Sequence, residues 1–183
     1  YKAHLSQPDG FKTSYEYPYT HIDTENYAAT DRMSYLPVLI ETDKAYKILI
    51  SEADLFDYPC IFLKGTGKNG MQSLFPKAPL AFGEDGDRSL KITKEADYIA
   101  KTTGKRSFPW RMMVISKEDK EIIENEMVYN LSTPCVLEDY SWIKPGQVSW
   151  EWWHDARLYG VDFRSGYNMD SYKYYIDFAS RFG

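Results

Sequence analysis

Cysteine is nearly absent from this sequence, whose 183 residues include only Cys60 and Cys135. Neither belongs to a CxxC pair or to a Cys/His spacing, which excludes a thiolate metal site and a dithiol redox motif. Each is expected to fill core space as a small apolar residue. Separation in sequence does not report the Cα distance that a bridge needs, so pairing of Cys60 with Cys135 stays open. Runs of Lys or Arg are missing too. With 22 basic and 27 acidic residues the formal charge is −5, so nucleic acid and anionic membrane surfaces are excluded as natural partners. No apolar run approaches the roughly 20 residues of a membrane-spanning helix, and the polar opening YKAHLSQPDG is no secretory leader. His4, His21 and His154 have no spacing for a shared zinc site.

Aromatic side chains, by contrast, are plentiful. Sixteen Tyr, nine Phe and five Trp make up 16% of the chain. Tyr and Trp are amphipathic, so they can stack on a sugar ring or fill a core while their polar tips stay satisfied. Composition alone does not choose between these uses. The 43% hydrophobic and 27% charged content suits a folded, globular chain rather than a disordered one.

Through residue 144 the pattern is one of short strands between turns. LPVLIET and AYKILISEA, separated by Asp43-Lys44, predict a hairpin. PCIFLKG, FPWRMMVIS and NEMVYNLSTP predict further strands, and GTGKNG and FGEDGDRS predict turns. SKEDKEIIENE reads as a short surface helix or a solvated loop. Many short strands with frequent turns predict a mainly β fold, an antiparallel β-sandwich or barrel. After Pro145-Gly146 the pattern changes. VSWEWW predicts a strand, with Trp150 and Trp152 on one face and Trp153 on the other. GVDFRSGYN is a loop between glycines, and from Asn168 the period turns helical. Asn168 or Asp170 is the expected N-cap, Tyr172, Tyr175/Ile176 and Ala179 the buried stripe, and Gly183 the C′ residue. Strand, loop and helix make one β/α unit, which cannot bury itself without parallel neighbours. The expectation is therefore a piece of a longer protein, with residues 1–144 as sandwich and 145–183 as the start of a second domain.

The stretch PGQVSWEWWHDARLYGVDFRSGYNMDSYKYYIDFASRFG resembles the opening of the catalytic barrel in glycoside hydrolase family 97, the α-glucosidases and α-galactosidases of Bacteroidota. SYEYPY, EADLFDYP, FPWR and NLSTP also follow in the order of that family's N-terminal sandwich. The resemblance implies the later part of an N-terminal β-sandwich followed by the first β/α unit of a (β/α)8 TIM barrel. It also implies a parent enzyme, periplasmic or secreted with its export signal upstream, that hydrolyses terminal α-linked sugars with calcium. The implied partner is an oligosaccharide or α-glycoside; no oligomeric state is implied. Glycoside hydrolysis needs two carboxyl groups flanking the bond. In the family these lie on later barrel strands, so no catalytic residue is assigned in this chain and the chain alone is expected to be inactive.

By resemblance Glu16, in the Tyr-Glu-Tyr motif, supplies a calcium ligand from the sandwich, and calcium accepts carboxylates from separate segments. Glu52, beside Asp54 in a second acidic cluster, is the alternative ligand. Trp150, Glu151, Trp152 and Asp155 fall near the C-terminal end of the expected barrel strand, where such folds build their sites, and are the candidate substrate contacts. The sequence departs from the family's common Asp at Glu151 and Asn at His154. The competing reading is a noncatalytic carbohydrate-binding β-sandwich module.

Overall fold

A nine-residue strand with partners along both edges organises the larger part of a computed structural model that describes residues 1–86 and 89–182, with only the backbone at His154. The expected C′ residue Gly183 and part of the FGEDGDRS turn lie outside the described residues. The chain divides into two units, one of Tyr1–Ala78 with Ala96–Pro134, the other of Pro79–Glu95 with Cys135–Gly183.

In the first unit the strands are β1 (Lys2–Ser6), β2 (Thr20–Asp23), β3 (Met33–Glu41), β4 (Lys47–Ala53), β5 (Phe62–Gly65) and β6 (Met71–Leu74). Next in the chain, β7 (Pro79–Glu84) and β8 (Leu90–Glu95) belong to the second unit, and β9 (Trp110–Ser116) returns to the first. The sheet runs β2-β1-β3-β4-β9, with β5 also on β3 and β6 on β5, and its pairs are antiparallel. One edge of β3 takes β1. On the other, β5 pairs with Met33–Tyr35 and β4 with Val38–Glu41. Pro37, which has no N–H to donate, falls in the gap between those two ladders. The predicted hairpin is present, closed by Thr42 N–H to the Tyr46 carbonyl at 2.8 Å, and GTGKNG turns β5 into β6.

Alternation sends Ala3, Leu5 and Val38 to one face, where they cluster with Tyr27 and Leu63. Tyr27 comes from α1 (Thr24–Ala28), and its hydroxyl donates to the Leu63 and Arg32 carbonyls at 3.0 and 3.1 Å. Burying each large side chain stabilises by about 1.5–3 kcal/mol, but the buried phenol also needs that polar partner. On the opposite face Ala53, Met112 and Val114 pack with Leu49 and with Ile122, Met127 and Leu131. The last three come from α2 (Asp119–Ile123) and α3 (Met127–Leu131). The helix expected in SKEDKEIIENE is α2. The strand expected in NEMVYNLSTP is instead α3, because Met127 and Leu131, four apart, need helical geometry to reach the sheet together. Cys60 and Cys135 are free thiols, and Cys135 is exposed rather than a core filler.

In the second unit β7 and β8 form an antiparallel hairpin with register shifts between Pro79 and Phe82. The mainly antiparallel β architecture agrees with a sandwich-type N-terminal domain. The predicted strand VSWEWW is not one here. Residues 147–150 are irregular and Glu151–His154 form a 3-10 turn. A strand needs neighbours for its ladder, and no described strand pairs with this one. Its carbonyls are satisfied locally, Trp152 O by Asp155 N–H at 3.2 Å and Glu151 O by Ala156 N–H at 2.9 Å. The tryptophan alternation is lost with the strand, and Trp150 meets Trp153 at 5.6 Å between ring centroids. The predicted helix is α4 (Met169–Phe182), with Asn168 Oδ1 accepting the Ser171 N–H at 3.0 Å as N-cap. Within α4, Ser171 is buried and Tyr175 and Ala179 partly so, whereas Tyr172 and Ile176 of the expected stripe are exposed.

Gly65 is where α1 meets the sheet. A Cβ there would lie 2.6 Å from the Tyr27 and Thr30 carbonyl oxygens and 2.8 Å from that of Ala28. These are backbone atoms that cannot swing aside, so Gly65→Ala is expected to destabilise the chain by about 1–3 kcal/mol, the range for overpacking. Urea unfolding tests this. A midpoint unchanged from the parent chain would show that the end of α1 yields freely.

Candidate functional site

Glu16 sits in the loop from Gln7 to Tyr19 that joins β1 to β2, and the loop is pinned on both sides of it. Before Glu16, the Tyr15 ring packs edge-on against Tyr35 at 5.0 Å. After it, the Tyr17 carbonyl accepts from the Ser6 hydroxyl at 3.0 Å and from the Tyr35 hydroxyl at 3.4 Å. Tyr15 itself is in the left-handed region at φ 59°, which helps turn the next side chain outward. The Glu16 carboxylate is exposed, and no ion pair or hydrogen bond engages it among the described residues. It is a hard oxygen donor on a fixed backbone, which suits one calcium ligand. No group of three or more His, Cys, Asp or Glu among the described residues could hold a metal ion.

Glu52 is occupied differently. Its side chain is 11% exposed, its Oε2 lies 3.0 Å from Arg111 Nη1, and its Oε1 accepts the Ile61 N–H at 3.2 Å. Arg111 is placed opposite Glu52 by the β4–β9 register, and its guanidinium also lies over Phe75 at 5.6 Å. Burial pushes the Glu52 carboxyl above its ordinary value, against the opposing pull of the Ile61 N–H and Arg111. A carboxylate held this way fastens β4 to β9 and to residue 61, leaving little to offer a metal. Asp54 is likewise engaged, accepting the Thr133 N–H at 2.6 Å.

The remaining candidates lie in the second unit. Trp150 and Trp152 are 56% and 46% exposed, and the Trp152 ring is 6.4 Å from that of Tyr167. Glu151 is half-buried and accepts from the Tyr172 hydroxyl at 3.4 Å. The Tyr172 and Tyr175 hydroxyls are both held above the ordinary tyrosine pKa, first by partial desolvation and then by the Glu151 charge. Asp155 is exposed, left-handed at φ 64°, and 3.4 Å from Arg157 Nη2. With Arg157, Ser165 and Tyr167 it lines a polar hollow of about 590 Å³ that also takes in Asp85 and Ser89 of the hairpin. The four substrate candidates are therefore split. Asp155 faces the hollow, while Trp150, Glu151 and Trp152 do not line it. Arg157 and Tyr167 were not singled out in the sequence, since neither belongs to a periodic pattern, and only the folded loop brings them beside Asp155.

Known proteins give this geometry a context. Residues 1–134 match the family described as Glycosyl-hydrolase 97 N-terminal. A retaining alpha-galactosidase of Bacteroides thetaiotaomicron is 38% identical over 176 residues, which take in 94% of this chain and 26% of that protein. Structures of a Glycoside Hydrolase Family 97 enzyme from Pseudoalteromonas sp. strain K8, one in complex with panose and one with acarbose, share 24% identity and a TM-score of 0.61. They are matched over 100% of this chain and 25% of their own. The chain thus spans about a quarter of the length of these relatives.

The role assigned to Glu52 is testable by removing its partner. Arg111→Met leaves a desolvated carboxylate with only the Ile61 N–H, and urea unfolding at neutral pH should show a loss of about 1–3 kcal/mol. The sign with pH follows from the raised carboxyl. The folded state prefers protonated Glu52, so this group favours folding most below the ordinary carboxylate pKa, and that contribution is lost as pH rises through the raised folded value. Without Arg111 the folded value rises further. The difference between variant and parent chain should therefore shrink on acidification towards about pH 4; a pH-independent difference would show that Glu52 is not the group responsible.

Proposed function

The chain belongs to glycoside hydrolase family 97, and on that premise we propose that it is the N-terminal portion of an exported, periplasmic or secreted enzyme that hydrolyses terminal α-linked sugars. The observation that carries the reading is the α-galactosidase match, which covers 94% of the chain and so must run past the N-terminal domain ending at residue 134. Residues 145–183 are then the opening of a (β/α)8 barrel, and the carboxylates that cleave the bond are supplied by later strands. The same relative makes retention and an α-galactoside the first alternatives to test, with an α-glucoside as comparison.

Within this reading each unit has a task. Glu16 would hold calcium together with ligands from outside the chain, and a calcium ion near the sugar supplies charge that orients hydroxyls or polarises a carboxylate and water. Asp155 and Arg157 offer an acceptor and a donor pair to sugar hydroxyls, and the exposed faces of Trp150 and Trp152 offer stacking surfaces. Glu151, held by Tyr172, is a further acceptor of fixed direction.

The full-length gene product is the material for the test, assayed on nitrophenyl α-galactoside and α-glucoside. Hydrolysis of one or both is expected, with loss on chelation, recovery with calcium, and at least tenfold more calcium required by Glu16→Gln. The isolated chain is expected to show no turnover. Activity unaffected by chelation would remove the calcium assignment and leave the hydrolase standing. A full-length product that binds sugars in calorimetry without cleaving them would replace the enzyme by a carbohydrate-binding protein.

A further inference from the structure

His4 and His21 are direct partners in the β1–β2 ladder. Directly opposed residues put their side chains on the same face, so the register brings together two rings that lie far apart in sequence. Their Nδ1 atoms meet in a short hydrogen-bonding contact, with the ring centroids 4.7 Å apart and the planes at 65°. One Nδ1 must donate and the other accept, so a single proton separates two nitrogen lone pairs. Behind His4, on β3, Glu41 places Oε2 3.3 Å from Nε2, which is buried and out of line for a hydrogen bond. The two rings open into a hollow of about 470 Å³, which Tyr19, Glu41, Lys47 and Asp119 also line. Lys47 and Asp119 are ion-paired to each other. His21 is exposed, so an ion can reach the pair from solvent.

We propose that His4 and His21 form a two-nitrogen chelate for a late first-row divalent ion such as Zn²⁺, Ni²⁺ or Cu²⁺. Moving the intervening proton to the Nε2 of its own ring, a change of tautomer with no net loss, frees both Nδ1 lone pairs, and rotation of the exposed His21 ring turns them towards one ion. Metal–nitrogen bonds of about 2.0–2.1 Å at near-tetrahedral angles separate the two nitrogens by roughly 3.0–3.4 Å. The rings therefore need to part by less than about 1 Å, which an exposed side chain on an edge strand permits. Glu41 then stands where a carboxylate orients a ligating imidazole through its other nitrogen. Imidazole nitrogen suits these ions, whereas calcium takes oxygen ligands, so this is not the ion proposed at Glu16. Water completes the coordination, consistent with no third His, Cys, Asp or Glu joining a metal-holding group among the described residues.

The intact chain, free of any affinity tag and stripped with chelator, should be titrated with NiCl₂ and ZnSO₄ by calorimetry. One saturable site is expected, weakened at least tenfold in His4→Ala and in His21→Ala, about tenfold in Glu41→Gln, and not in His154→Ala. Because the alanine variants can disturb the sheet, the unmutated chain is followed in parallel by nitrogen NMR of the histidine rings. Added Zn²⁺ should move the His4 and His21 Nδ1 resonances and leave those of His154 in place. Absence of saturable binding, full binding by a folded His21→Ala, or shifts confined to His154 would each overturn the proposal.

Discussion

The pairing capacity of β3 is the constraint on which the first unit depends. A nine-residue strand offers two edges, and only one of them is filled by a single partner. β1 follows one edge, while β5 and β4 share the other on either side of Pro37. A proline within a strand ordinarily breaks a ladder, but at a place where one partner leaves and another arrives its missing donor is not needed. α1 lays Tyr27 on the face where Ala3, Leu5, Val38 and Leu63 cluster, and Gly65 makes room for the backbone at the end of α1. The core is thus a consequence of register as much as of hydrophobicity.

The same register sets the chemistry. Because β1 lies between β2 and β3, His4 meets His21 on one side and Glu41 on the other. Because β4 pairs with β9, Glu52 meets Arg111. Two glutamates that look alike in sequence are separated in role by these placements. Glu52 is desolvated and paired, so its energy is spent within the fold, and removing either partner leaves the other stranded. Glu16 is solvated, and what is fixed is its backbone, through Tyr15 and Tyr17. Only the second arrangement leaves a carboxylate available for something that arrives from outside.

Much of this was legible from local pattern. The hairpin around Asp43-Lys44, the strand in FPWRMMVIS and the Asn168 cap depend on turn chemistry, alternation and a single side-chain acceptor, all of which are local. NEMVYNLSTP was read wrongly because a short apolar run fits both periods, and the sheet beneath Met127 and Leu131 decided between them. The histidine pair was invisible to a search for metal-type spacing. Its signal is the cross-strand register, which becomes readable only after β1 and β2 have been aligned.

Trp150 to Ala156 shows what happens when local and long-range preferences part. Its three tryptophans favour a strand, yet strands draw their hydrogen bonds from neighbours, so the backbone closes on itself in a 3-10 turn. Asp155 and Ala156 are left with positive φ, an arrangement disfavoured for residues carrying a Cβ. Around this turn Val148 and Trp153 are 85% and 77% exposed, far from what a buried parallel strand allows. Sequence preference, backbone strain and apolar exposure therefore coincide in one short segment. That coincidence falls where the proposed barrel would begin.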